Sequence, residues 1–244
     1  RRFLQRTLRE HLLDAPQSDP LAKVKLPRMT SMPGPILRRW PAASDRLLAG
    51  ESSAFAALPI DHGVPPVSAV GGPAAAHARW RTFLAKRLAS YPELRNHPEA
   101  DSTSGLAPYL HFGHISAHEI FHSLARKEGW SPAKLAERAS GSREGWWGMG
   151  EPAEAFLDQL VTWRELGFNF CEHRSDYADY QSLPPWVKAT LAKHARDSRP
   201  YTYTTEEFAS ARTHDPLWNA AQRQLATEGH IHNYLRMLWG KKIL

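Results

Sequence analysis

Tyr91-Pro-Glu-Leu-Arg95-Asn-His-Pro98, followed by Asp101-Ser-Thr103-Ser104-Gly105-Leu106-Ala107-Pro108-Tyr109-Leu110-His-Phe-Gly113-His-Ile-Ser116, is the stretch on which the reading of this chain turns. Just before it, from Ala74 on, Trp80, Phe83, Leu84, Leu88 and Tyr91 recur at helical spacing. Just after it, Ser116 and Glu119 form a capping box ahead of Ile120, Phe121 and Leu124, and Gly129 ends that helix after Lys127. Between the two helices stand small hydroxylated residues and a glycine, whose backbone N–H groups and hydroxyls can meet a phosphate. Ser, Thr and Gly are equally the residues of an ordinary capped loop, so the loop alone leaves both uses open.

Farther along, the helical period continues to the end of the chain. Glu151-Pro152 opens a helix with Phe156, Leu160, Trp163 and Phe170 on or near one stripe. Thr204 and Glu207 make a second capping box, and Asp215-Pro216 starts a helix that stops at Gly229. The last segment, Ile231 to Leu244, carries Leu235, Leu238 and Trp239 at helical offsets. No βαβ alternation appears, and the expected fold class is all-α.

The N-terminal part differs. Residues 1–13 suit a short basic helix, but from Pro16 to Pro73 prolines recur so often that long helices and strands are both disfavoured. This stretch is expected to wrap or link, docked through the apolar anchors Ile36, Leu37, Trp40, Leu58, Ile60 and Val64. The expected division is therefore 1–73, a basic segment and extended connector, and 74–244, a helical domain. The chain begins without Met and finishes in Lys241-Lys242-Ile243-Leu244 with neither cap nor breaker, so further sequence is expected on both sides.

At 244 residues and 42% hydrophobic, the chain can bury a sizeable core. No run approaches the roughly 18 apolar residues of a membrane span, and no signal peptide is evident, so a soluble intracellular protein is expected, cytoplasmic in a bacterium. A lone Cys171 excludes an intrachain disulfide and reads as a free core thiol. A net charge of +6 favours polyanionic partners. Nine Trp is a high count: most are expected in the core, though flat indoles also suit flavins and unstacked bases.

Tyr91, Arg95 and the Thr103-Ser104-x-Leu106 run, ending in Pro108 to Ser116, resemble the flavin-phosphate loop of the photolyase and cryptochrome family. Leu58-Pro59-Ile60-Asp61-His62-x-Val64-Pro65-Pro66-Val67 and Asp215-Pro216-Leu217-Trp218-Asn219-Ala220-Ala221 resemble class II cyclobutane pyrimidine dimer photolyases. Trp163-Arg164-Glu165-Leu166 and His232-Asn233-Tyr234-Leu235-Arg236-Met237 are similar to pocket-lining helices of the wider family. The resemblance implies a partial helical FAD-binding domain following an α/β antenna domain, with reduced FAD as cofactor, an unidentified antenna pigment and damaged DNA as partner. It implies that Tyr91, Thr103, Ser104, Gly105, Leu106 and Ala107 hold the FAD phosphates and ribose, with Ala107 in place of the usual Ser. Arg164, Asn219, Asn233 and Arg236 then surround the flavin ring.

The same resemblance makes Trp218, Trp239 and Tyr203 an electron relay, where the plain alternative is a set of core anchors. Gln159 and Trp163, at i and i+4, correspond to the face that meets an extruded dimer, Trp163 as the stacking wall and Gln159 where repair enzymes usually carry Glu. An amide donates a hydrogen bond but exchanges no proton, which makes a non-repairing cryptochrome-type sensor the first rival reading. A flavin-free helical DNA-binding remnant is the second. His111, His114 and His118 lack a completing Cys or carboxylate, so no metal is expected. Trp146-Trp147, flanked by Gly145 and Gly148, either touches DNA or plugs a cleft. A monomer is expected.

Overall fold

The computed structural model describes residues 1–14, 17, 19–64 and 66–243. Pro16, Pro65 and Leu244, which the sequence reading sets in the proline-rich stretch, the 58–67 block and the last helix, lie outside the described residues. The helices in chain order are α1 (Arg2–Thr7), α2 (Gly34–Arg39), α3 (Asp45–Leu48), α4 (Ser52–Phe55), α5 (Pro73–Lys86), α6 (Tyr91–Leu94) and α7 (Ala107–His111). They continue as α8 (Ala117–Lys127), α9 (Glu151–Leu157), α10 (Arg164–His173), α11 (Pro185–Lys193), α12 (Thr205–Ala209), α13 (Pro216–Glu228) and α14 (Asn233–Lys241). Among the described residues there is no strand, as the absence of period-two patterning led one to expect.

The chain forms two compact units, and neither is continuous in sequence. The first comprises Arg1–Ala15, Val70–Glu206 and His232–Leu244; the second comprises Pro16–Ala69 and Glu207–Ile231. Residues 1–15 thus group with 70–206 and 232–244, and residues 207–231 with 16–69.

In the first unit the core is aromatic. Helix α5 starts at Pro73, where the missing N–H costs nothing, and buries Ala76, Trp80 and Phe83 at helical spacing. Phe83 sits 5.8 Å from Trp80, 4.9 Å from Phe156 of α9 and 5.5 Å from Tyr91 of α6, the last pair edge to face. Trp80 Nε1 donates to Ser123 Oγ of α8 at 3.0 Å, so its polar edge is satisfied. Helix α8 is capped as expected at its start, Ser116 Oγ accepting from Glu119 N at 3.0 Å. Only half of the capping box forms, because the Glu119 carboxylate pairs instead with His77 Nε2 at 2.7 Å. At the other end Gly129 takes φ +53°, Trp130 N reaches Ala125 O at 2.8 Å and Gly129 N reaches Arg126 O at 3.2 Å, a Schellman closure.

Trp130, Trp146, Trp147 and Phe121 pack together, with Trp130 Nε1 donating to Trp147 O at 2.6 Å. Trp146 and Trp147 are therefore buried plugs. Their loop is tied down by Glu154, a buried carboxylate that accepts the Gly145 and Met149 amides. Cys171, expected in the core, is exposed on α10.

The second unit holds α2, α3 and α4, helices of four to six residues separated by turns. Ile36, Leu37, Trp40, Ile60 and Val64, expected as docked anchors, are exposed. Helices this short present too little apolar area to bury a face. Helix α13 matches its expected ends: Asp215 Oδ1 accepts from Leu217 N and Trp218 N at 2.9 and 3.0 Å, and Gly229 closes it at φ +64°.

Because Phe83 is fully buried and joins α5, α6 and α9, Phe83→Ala is expected to cost about 3–5 kcal/mol of unfolding free energy, measured by urea denaturation. A loss below about 1 kcal/mol would show that the aromatic cluster does not hold the first unit together.

Candidate functional site

The Tyr91–Leu106 segment rests on this core. Tyr91 opens α6 with its ring buried against Phe83 and Phe156, and Arg95, one turn on, stands 5.8 Å from the ring centre. Burial pushes the phenol's pKa up, against the pull of Arg95. Leu106, at the far end of the loop, is fully buried in the same cluster. The loop between them is held by two guanidinium groups. Arg79 Nε donates to Ser104 O at 3.0 Å, and both Arg79 and Arg87 pair with Asp101.

Gly105 adopts φ +64°, and a Cβ there would lie 2.5 Å from Arg79 Nε. The positive φ favours glycine, and a Cβ there would push the Arg79 guanidinium aside. Ser104 Oγ accepts weakly from Leu106 N at 3.4 Å, and Thr103, Ser104 and Gly105 are half-buried, so their hydroxyls and amides remain partly open. Ala107 is exposed as the first residue of α7.

Between α9 and α10 the chain does not continue as an α-helix. Asp158–Trp163 is wound as a π-helix, whose extra residue rotates everything beyond it. The expected stripe is divided accordingly: Phe156 and Leu160 are buried, whereas Trp163 and Phe170 are exposed. Arg164, expected at a core-facing position, is half-buried, pairs with Glu165 at 2.9 Å and lies 4.6 Å above the Phe168 ring. Gln159 is half-buried beside Asp158.

Asp158 is the residue that the sequence reading passed over. It is 4% exposed, binds Arg1 through Nε at 2.9 Å and Nη2 at 2.8 Å, and accepts from Trp163 Nε1 at 3.2 Å. Burial alone would raise its pKa; the hydrogen bonds and charge of Arg1, with help from Thr162 and Trp163, outweigh that and hold it below the ordinary carboxylate value. A signal existed in the sequence: Glu154 and Asp158 lie at i and i+4 within the otherwise apolar run Ala153, Phe156, Leu157 and Leu160.

The remaining site residues are dispersed. Asn233 and Arg236, on α14 of the first unit, are exposed and bonded to each other at 2.7 Å. Trp239 and Tyr203 are half-buried, also in the first unit. Trp218 and Asn219 belong to the second unit, where Trp218 is buried 5.1 Å from Phe208. The Asn219 amide is engaged with Thr213, accepting from its N and Oγ1 at 2.9 and 2.8 Å and donating to its O at 2.7 Å. His114 Nδ1 accepts from Gly72 N at 3.1 Å. No group of three metal-ligating side chains occurs among the described residues. No helix among them is long and apolar enough to cross a membrane.

The chain is 40% identical over 174 residues to the deoxyribodipyrimidine photolyase of Methanothermobacter thermautotrophicus, a match covering 71% of this chain and 34% of that protein. It is 35% identical over 190 residues to that of Potorous tridactylus (78% and 32%), and 40% over 163 residues to that of Oryza sativa subsp. japonica (66% and 29%). The crystal structure of a bacterial class III photolyase from Agrobacterium tumefaciens aligns with TM-score 0.48 at 23% identity, covering 69% of this chain and 30% of that one. No protein-family model matches. Over the region they share, these similarities support the photolyase family, and the chain spans about a third of these relatives' length.

Asp158 has a folded pKa below its unfolded one, so its contribution to stability is present above the ordinary value of 3.8 and is lost as pH falls through the lowered value. The difference in urea midpoint between the parent and Asp158→Asn is expected to be largest near neutrality and to vanish in strong acid. A difference that holds constant across that range would separate Asp158 from the ion pair with Arg1.

Proposed function

We propose that the chain is part of a class II cyclobutane pyrimidine dimer photolyase, the helical portion that holds FAD beside a DNA lesion. The observation that carries this reading is the 40% identity over 174 residues with a deoxyribodipyrimidine photolyase. The class is supported by the blocks at 58–67 and 215–221.

A pyrophosphate needs hydrogen-bond donors and a close approach of backbone. The 103–106 loop offers both, since Gly105 at φ +64° carries no side chain and Thr103 and Ser104 are only half-buried. Tyr91, Thr103, Ser104, Gly105, Leu106 and Ala107 would hold the phosphates and ribose. Within the first unit, Arg164, Asn233 and Arg236 would face the flavin ring, with the two arginines favouring an anionic form. Reduced FAD, once bound, supplies the electron that light drives into the dimer.

The protein's own side chains do the rest. Trp163 presents an open ring face to a base taken out of the stack, at a cost of a few kcal/mol. Gln159, one turn before it, offers an amide N–H to the extruded base. Within the first unit, Trp239 and Tyr203 would pass electrons inward to the flavin. The net charge of +6 provides phosphate contacts, so DNA affinity should fall steeply with salt.

Gln159 favours one alternative, a non-repairing flavoprotein of cryptochrome type, because the amide cannot exchange a proton with the substrate.

After reconstitution with FAD and removal of free flavin, the chain is expected to show structured flavin absorption at near-equimolar content, and Gly105→Ala to lose most of it. A colourless parent would overturn the flavin assignment and favour a flavin-free DNA binder. In a light-dependent dimer-repair assay, Gln159→Glu is expected to exceed the parent; repair by the variant alone would decide for the non-repairing alternative.

A further inference from the structure

The π-helical turn joins two side chains that a regular helix keeps apart. At 3.6 residues per turn, positions five apart point roughly 140° away from one another. Bonding at i to i+5 brings them over each other, and Asp158 Oδ2 accordingly accepts from Trp163 Nε1 at 3.2 Å. The same carboxylate is gripped by the Arg1 fork, and the Arg1 guanidinium stands 5.6 Å from the Trp163 ring centre. Asp158 is buried while Trp163 is 55% exposed. The indole is thus held at its N–H edge by Asp158 and on one face by Arg1, while more than half of it stays exposed.

We propose that Asp158, fixed by Arg1, is a positioning residue that presets the angle of Trp163 for stacking on an extruded base. The inference rests on the reading of Trp163 as the stacking wall and adds how that wall is held. An untethered indole on a helix surface loses rotamer freedom when a base lands on it; one already fixed does not, so the tether favours binding without touching DNA. The π turn is the geometric requirement, since without it the carboxylate and the indole N–H face different sides of the helix.

The test uses the full chain with Asp158→Ala, Asp158→Asn, Trp163→Phe and the double variant Asp158→Ala with Trp163→Phe. Fluorescence anisotropy measures binding to a single-stranded oligonucleotide carrying one thymine dimer and to its undamaged counterpart. Asp158→Ala is expected to weaken dimer binding about ten-fold, the scale of one charge-assisted hydrogen bond, and to leave undamaged binding unchanged. In the Trp163→Phe background it should have no further effect, and Asp158→Asn, which keeps the volume and an acceptor oxygen, should recover most of the loss. An equal loss on undamaged DNA, or an undiminished effect once Trp163 is Phe, overturns the proposal.

Proton–nitrogen NMR gives a readout independent of DNA. The Trp163 indole N–H signal, assigned by its disappearance in Trp163→Phe, is expected to move in Asp158→Ala while the other indole signals stay in place. An unmoved Trp163 signal, or movement of all of them, overturns the proposal. A parent that binds both oligonucleotides alike removes the stacking reading of Trp163, and the indole signal then decides whether Asp158 positions the ring.

Discussion

The packing of Phe83 against Trp80, Tyr91 and Phe156 is the constraint on which the first unit depends. Four rings from three helices meet within 4.9–5.8 Å, so α5, α6 and α9 have fixed places relative to one another. Tyr91, the 101–106 loop, Asp158 and Trp163 are then reached from these helices along short stretches of chain. Tyr91 belongs to the cluster itself; the 101–106 loop leaves α6 and returns to the core at Leu106; Asp158 and Trp163 follow directly from α9. Rings in offset and edge-to-face contact tolerate little sliding, and the loop and the π-helix inherit that precision.

Two buried carboxylates of this unit each tie a loop or a turn. Glu154 receives the amides that hold the Trp146–Trp147 loop, and Asp158 receives Arg1 and the Trp163 indole. Each has its acceptor capacity used, which is the condition under which an acidic side chain is tolerated beneath the surface. The two lie one helical turn apart on α9 and its continuation, so a single helix anchors an inner loop with one carboxylate and an outward-facing indole with the other.

Much of the helical architecture was legible from end to end. Ser116, Gly129, Asp215 and Gly229 mark helix boundaries because capping is local chemistry, set by one side chain and the next few backbone groups. The proline-rich stretch, expected as an extended connector, forms three short helices among its described residues, and of its expected anchors Leu58 is half-buried while the others are exposed, because burial depends on what lies across from a residue. The site was partly legible: the glycine and hydroxyls of 103–106 stand out as a turn, but the clamp that holds them comes from Arg79 and Arg87, more than ten residues away.

By itself, the sequence determined an all-helical chain, the places where most of its helices begin and end, and a family likeness carried by blocks spread from residue 58 to residue 237. Those are matters of periodicity, capping and residue identity, all read over short distances. Only the tertiary structure decided that Trp146 and Trp147 are buried, that Cys171 and Phe170 are not, and that Asp158 holds both Arg1 and Trp163. The physical reason is that burial and long-range pairing are properties of two surfaces brought together. One inserted residue in a helical turn, invisible to a pattern read at 3.6 residues, changes which surface a side chain joins.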